Sequence, residues 1–378
     1  MNWIQFYNFE SCKTDCRIEA IPSLDYPKTI VLIIMTTPFQ FQRFRPRILI
    51  LGLVPLALFL LLALPTHAQP LSFIAIGDMP YSEAEAVALE AEIPEAIQGA
   101  NPPFVVHYGD LKGGGETCSQ ALLQQRRDNL YGLLPGRVFY NPGDNEWTDC
   151  DRSYLDPPIS ELGQLDAVRR TLFPTPLTID ESWAYVTQAN FPENARWIYD
   201  DVVFATVHLV SGNNGREEVL EDDLELALAL VDARDQANRV WLEAAFAQAL
   251  DVGAKAVVIV TQADTTAGGS GACTAYNRVH CDGFANFRAQ LGRLAGNFRD
   301  RGQPRRPVLL VHGDTNPYCW DKDFGGVMAP NLWRLNGWGD FQSPPDATQI
   351  TVDPANTAQP FQAQTLIHQQ VPTEGCNG

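Results

Sequence analysis

Tyr140 to Trp147 reads Tyr-Asn-Pro-Gly-Asp-Asn-Glu-Trp: an apolar run ends in a glycine, and three polar side chains follow at once. Three other runs finish almost the same way. Phe73 to Asp78 is Phe-Ile-Ala-Ile-Gly-Asp, Val105 to Asp110 is Val-Val-His-Tyr-Gly-Asp, and Val308 to Asp314 is Val-Leu-Leu-Val-His-Gly-Asp. Four short apolar segments of buried-strand type thus each deliver an aspartate behind a glycine. In open α/β sheets ligands collect beyond the carboxyl ends of the strands, so these four carboxylates can converge on a spot the size of one cation.

The rest of the chain supplies the matching helices. Ser82-Glu83-Ala84-Glu85 offers a capping box for a helix over 82–98, pointing its positive end back at Asp78. A strand over 104–107 follows Pro102-Pro103, then a helix over 119–134 and a strand over 137–140. This alternation predicts a largely parallel sheet with helices outside. Residues 148–196 are rich in loops apart from a helix over 162–173, the kind of excursion that shapes a binding mouth. Segments 196–199 and 202–208 flank Asp200-Asp201 as a hairpin, and Ser211-Gly212-Asn213-Asn214-Gly215 follows. Two helices broken near Asp235 are expected across 217–251, with Glu221-Asp222-Asp223 as a solvated face. A strand over 255–260, a helix over 283–301 and a strand over 307–312 complete the alternation. Segments 331–335 and 349–352 are expected to close it as antiparallel strands.

Composition limits the function. The chain has 378 residues and a formal net charge of −18, and residues 69–378 alone hold 41 acids against 21 bases. Such a body repels polyanions, which argues against nucleic acid as a partner and favours cations. Ile48 to Leu64 is almost wholly apolar, follows Arg43, Arg45 and Arg47, and leads into Pro65-Thr66-His67-Ala68. It reads as a secretory signal, too short for a permanent membrane span. The expected mature domain is 69–378, with residues 1–68 an extension plus signal whose natural start lies near Met35. The protein is therefore expected to be secreted or periplasmic. Beyond Cys12 and Cys16 six cysteines remain (Cys118, Cys150, Cys273, Cys281, Cys319, Cys376), an even set that suggests disulfides, with Cys273–Cys281 the nearest local pair.

The order Gly-Asp, Gly-Asp, Gly-Asp-Asn-Glu, a strand ending in a polar residue, and Gly-Asp-Thr-Asn resembles the calcineurin-like metallophosphoesterases, including the purple acid phosphatases, over residues 72 to about 353. The resemblance implies a four-layer α/β/β/α sandwich with mixed sheets. It also implies metals at the strand ends and two-metal hydrolysis of a phosphoester. By position, Asp78 and Asp110 match the first two aspartates, and Pro80 stands where a histidine is expected. Asp144 replaces the metal-binding asparagine, Asn145 the catalytic histidine, Gln262 a ligating histidine, and Asp314 and Asn316 the closing pair. The resulting set, Asp78, Asp110, Asp144, Gln262, Asp314 and Asn316, donates oxygen only. It suits one or two Mg²⁺, Mn²⁺ or Ca²⁺ ions rather than zinc.

Of the remaining histidines, His107 is expected to be structural. His208 and His312 are candidates to donate the proton an ester leaving group needs. Lys112, Arg196, Asn213 and Asn214 are candidate phosphate contacts, and Tyr81 and Trp147 candidate pocket walls. The expected ligand is a small phosphorylated molecule. Three functions fit: a metal-dependent phosphoester hydrolase, an inactive metal- or phosphate-ligand-binding protein on the same fold, or a metal-free scaffold whose carboxylates pair with arginines.

Overall fold

The computed structural model describes residues 70–376. The apolar segment before Pro65, the start proposed near Met35, and Cys12 and Cys16 lie outside the described residues. Among the described residues no helix is long and apolar enough to cross a membrane.

The strands are β1 (Leu71–Ile76), β2 (Val105–His107), β3 (Val138–Tyr140), β4 (Val186–Gln188), β5 (Phe191–Tyr199), β6 (Val202–Thr206) and β7 (Ala256–Val260). They continue as β8 (Val308–His312), β9 (Cys319–Asp321), β10 (Leu332–Asn336), β11 (Thr348–Val352), β12 (Phe361–Thr365) and β13 (Thr373–Glu374). The main helices are α1 (Glu83–Glu90), α2 (Glu92–Ala100), α3 (Gln120–Gly132), α4 (Glu161–Leu172), α5 (Leu224–Asp251) and α6 (Ala285–Asn297).

These strands form two mixed sheets. One has five strands in the order β12-β11-β1-β2-β3, and the other eight in the order β13-β9-β10-β8-β7-β6-β5-β4. Strands β1, β2 and β3 run parallel, as do β6, β7, β8 and β10. Antiparallel strands β11 and β12 extend the first sheet, and β4, β5 and β9 the second.

Three apolar layers fix the order α/β/β/α. Phe73, Phe104 and Phe139 of the first sheet's inner face meet Trp197 and Phe204 of the second, and the Phe139 and Trp197 rings stack 3.6 Å apart. Fully burying each such side chain contributes about 1.5–3 kcal/mol. Outside the first sheet, Leu89, Ile93 and Ile97 of α1 and α2 and Leu123, Leu130 and Val168 of α3 and α4 pack on Ile74 and Val138. Outside the second, Trp241, Leu242 and Phe246 of α5 and Phe287 and Leu291 of α6 pack on Val203, Val257 and Leu310. The expected sandwich is the fold observed.

Several local expectations change. The helix over 82–98 is two, broken at Ala91; Pro94 lacks the N–H that would bond Glu90 and crowds its carbonyl. Its capping box is as expected, Glu85 N–H donating to Ser82 Oγ and Ser82 N–H to the Glu85 carboxylate. The two helices expected across 217–251 are one, Leu224–Asp251, since neither glycine nor proline interrupts it. Of the acidic run before it, Asp223 caps α5 through Leu226 N–H, and Asp222 accepts from Ser160 Oγ and Leu162 N–H at the start of α4. Segment 331–335, expected antiparallel, becomes β10, which pairs parallel to β8 and is antiparallel only to β9. Six cysteines form Cys118–Cys150, Cys273–Cys281 and Cys319–Cys376.

Candidate metal centre

The Gly-Asp dipeptides serve one geometry. Asp78, Asp110 and Asp314 all lie in the left-handed region, at φ 51, 58 and 64. Aspartate enters this region more readily than most residues. The glycines make room for the neighbouring aspartates. A Cβ at Gly143 would lie 1.9 Å from Asp110 Oδ1, and one at Gly313 would lie 2.0 Å from Asp78 Oδ2. Glu146 ties two of the turns together. Its buried carboxylate accepts the N–H groups of Asp110 (3.2 Å), Gly143 (3.0 Å) and Leu111 and the Tyr140 hydroxyl (3.1 Å).

The result is a carboxylate cluster. Oxygens of Asp110, Asp144 and Asp314 all lie within 4.8 Å of one another. Asp78 lies alongside; its Oδ2 accepts Asp314 N–H at 3.0 Å, and its Oδ1 is buried without a hydrogen-bond partner among the described residues. Asp340 joins from beyond β10, its N–H bonded to the Asp78 carbonyl. No salt bridge among the described residues reaches Asp78, Asp110, Asp144 or Asp314; the arginines pair with other acids, as Arg334 does with Asp264 and Asp321. The pairing expected of a metal-free scaffold is therefore not seen there.

Burial first, and then mutual repulsion, pushes the acids up. Asp78, Asp110 and Asp314 lie well above the usual carboxylate range, through loss of water first and then through nearby charges: Asp340 and Asp144 on Asp78, Asp144 and Glu146 on Asp110, and Asp144 and Asp78 on Asp314. A protein gains nothing from crowding buried anions unless a cation neutralises them. The orphaned oxygen of Asp78 and the oxygen-only donor set fit a hard divalent ion such as Mg²⁺, Mn²⁺ or Ca²⁺.

Neutral donors surround the cluster. Gln262 Nε2 donates to Asp144 Oδ1 at 2.7 Å and more weakly to Asp110 Oδ2 at 3.4 Å, while its Oε1 accepts Ser211 N–H at 2.9 Å. A flipped amide would face one N–H with another, so Ser211 fixes its orientation. Gln262 thus presents nitrogen to the carboxylates in this arrangement, not the oxygen expected of a ligand. Ser211 Oγ donates to Asp144 Oδ2. The Tyr81 hydroxyl donates to Asp110 Oδ2 at 2.7 Å and accepts from Asn145 Nδ2 at 3.2 Å. Asn145, where a catalytic histidine was expected by resemblance, thus touches the cluster through Tyr81 and through its own N–H to Asp110 Oδ1.

Other expected site residues lie elsewhere or are engaged. Asn316 is exposed and reaches Asp340 at 3.3 Å, outside the group formed by Asp110, Asp144 and Asp314. His208 is fully buried between Trp147 and Glu193; Nδ1 lies 3.0 Å from Glu193, and burial pushes its pKa down to about 4. Burial thus favours its neutral form, and no hydrogen bond among the described residues links it to the cluster, so its expected part as the donor rests on no contact here. His312 is equally buried, with Nδ1 on the Gly313 carbonyl, and burial lowers its pKa too. His107 accepts Gly109 N–H, the structural part expected of it. Lys112 turns into its own loop, donating to the carbonyls of Gly113 and Glu116. Asn213 holds Val279, Cys281 and Gly283, and Asn214 holds Asp235 and Arg234. Arg196 stacks on Trp241 of α5, 4.7 Å from the ring centre. The side chains of Asn213, Asn214 and Arg196 are therefore engaged within the protein itself. Trp147 packs under Arg234 rather than walling a pocket.

Sequence reasoning missed Ser211, Asp340 and the part played by Tyr81. Gly339-Asp340 repeats the Gly-Asp signature three residues past β10. Ser211 carried no signal beyond its place in the small, polar stretch before Asn213.

No family model matches the chain, and no curated protein matches it. Similar solved structures include TT1561 of Thermus thermophilus, at 10% identity over 79% of this chain and 100% of that chain, with TM-score 0.37. GAP50, the anchor in the inner membrane complex of Plasmodium, matches at 11% identity over 80% of this chain and 86% of that one, with TM-score 0.39. Haemophilus influenzae NAD nucleotidase matches at 12% identity over 78% and 49%, with TM-score 0.36.

Proposed function

We propose that the chain is an exported, metal-dependent phosphoester hydrolase, with one or two Mg²⁺, Mn²⁺ or Ca²⁺ ions held by Asp110, Asp144 and Asp314 and assisted by Asp78. The observation that carries this reading is the convergence of buried Asp110 and Asp144 with half-buried Asp314, none of which forms a salt bridge among the described residues. A bound cation would supply charge neutralisation for a phosphoryl group and acidify a coordinated water. Around it, Tyr81, Gln262 and Ser211 would orient the carboxylate oxygens, and Asn145 would steady the Tyr81 hydroxyl. The substrate would be a small phosphorylated molecule entering past the half-buried Ser211 and Asp314. Export, as a secreted or periplasmic protein whose mature domain is residues 69–378, is supported by three disulfides.

One observation favours a second reading, metal or phosphate-ligand binding without turnover. His208 and His312 are buried, and neither hydrogen-bonds to the cluster. Elemental analysis, paired with phosphomonoester and phosphodiester assays under Mg²⁺, Mn²⁺ and Ca²⁺, separates the two. The hydrolase turns substrate over with metal bound, the binding protein holds metal with no turnover, and a metal-free protein sinks both.

A further inference from the structure

The arginines are unevenly spread. In a chain of net charge −18, residues 283–307 contain six arginines and a single acid, Asp300. The segment comprises α6 and the turn before β8; α6 runs back along the sheet, so its C-terminal end and that turn, with Arg299, Arg301 and Arg305, lie at the strand end opposite Asp314. Beside it is a cleft of about 690 Å³ lined in part by Arg288, Arg293, Arg299, Arg305, Phe324 and Met328. Arg288 and Arg293 are paired with Asp282 and Glu243. Arg299, Arg301 and Arg305 are exposed and form no salt bridge among the described residues. At the rim of the cleft the tight turn Gly326–Met328 presents Val327 and Met328, 92% and 74% exposed. Gly296 holds this turn against α6, since a Cβ there would lie 2.5 Å from the Met328 carbonyl.

Local positive charge on an acidic body needs an anionic counterpart, and two protruding apolar side chains add something only if that counterpart has an apolar layer beneath its charge. A polyanionic glycan or nucleic acid lacks such a layer, whereas an anionic phospholipid surface has both. We infer that the Arg299, Arg301 and Arg305 face, with Val327 and Met328 at its tip, docks peripherally on anionic phospholipid headgroups. Guanidinium groups would pair with lipid phosphates, and the apolar tip would enter the acyl boundary. Docked by this end, the carboxylate cluster at the other end of β8 faces solution and stays open to soluble ligands.

The test is co-sedimentation of the purified protein with vesicles of phosphatidylcholine alone and of equal parts phosphatidylcholine and phosphatidylglycerol. The inference expects binding to the mixed vesicles only, lost at high salt. It also expects about a ten-fold or greater loss of partitioning in the Arg299→Glu, Arg305→Glu double variant and a clear loss in Val327→Asp. Because Arg305 Nε also bonds the Gly296 carbonyl, Val327→Asp, at a nearly fully exposed position, guards against misfolding. Any binding through residues 1–69 is common to all variants. Equal binding to both vesicle types, or mixed-vesicle binding indifferent to both variants, overturns the inference. So does binding to heparin-agarose that Val327→Asp leaves unchanged while vesicles are ignored.

Discussion

The Cβ that Gly143 lacks would lie 1.9 Å from Oδ1 of Asp110 and 2.6 Å from its backbone nitrogen. This glycine, three residues past β3, is therefore required by a carboxylate 33 positions earlier in the chain, and not by its own backbone conformation. Gly143→Ala should push Asp110 out of place at a cost of about 1–3 kcal/mol. Divalent-ion affinity should fall further than stability does, as isothermal titration beside denaturant unfolding would read. A variant that binds metal like the parent would mean that Asp110 is not a ligand.

Tyr81 is expected to position Asp110 rather than to react. Tyr81→Phe removes the hydroxyl that bridges Asp110 and Asn145, so metal affinity should weaken several-fold, equivalent to about 1 kcal/mol. Turnover at saturating metal should stay near the parent value. A collapse of turnover with metal affinity intact would assign the hydroxyl a direct chemical part.

His208→Ala should act on stability. Removing the ring strips a partner from buried Glu193 and opens a cavity beside Trp147, costing about 2–5 kcal/mol. The activity of the protein that remains folded should be unchanged, scored per mole of native protein by near-ultraviolet dichroism. A specific loss of turnover in fully folded protein would restore His208 as a proton donor.

Glu161, buried at the start of α4, has its pKa pushed up to about 9, by burial first and then by the carboxylates of Asp151 and Asp222. A raised acid pKa contributes stability that is complete below the ordinary value near 4.3 and is lost as pH rises through about 9. Glu161→Gln, which imitates the protonated acid, should match the parent in mild acid. Toward neutral pH it should be more stable by on the order of 1–2 kcal/mol, about 2–4 °C in Tm per kcal/mol for a chain of this size. Urea midpoints across pH would check this, and a variant weaker than the parent at neutral pH would refute it.

Much of the fold was legible because the strands are short apolar runs closed by Gly-Asp, and burial on both faces makes such runs unmistakable. The carboxylate cluster was legible for the same reason: Asp110, Asp144 and Asp314 follow strand ends, where the sheet alone fixes their position. Where Lys112, Arg196, Asn213 and Asn214 turn was not legible, because a long or amide side chain in a loop can turn several ways. Here hydrogen bonds to Gly113 and Glu116, stacking on Trp241, and bonds to the 279–283 loop and α5 decide where they turn. The parallel pairing of β10 with β8 was hidden because a crossover leaves no local mark on either strand.

Cation binding by the clustered aspartates is tested most directly by elemental analysis of the purified protein beside Asp110→Asn and Asp144→Asn. Such binding predicts Mg²⁺, Mn²⁺ or Ca²⁺ in the parent and its loss in both variants, each of which remains folded. A parent protein that carries no divalent metal after incubation with all three ions, or variants that retain it in full, would contradict it.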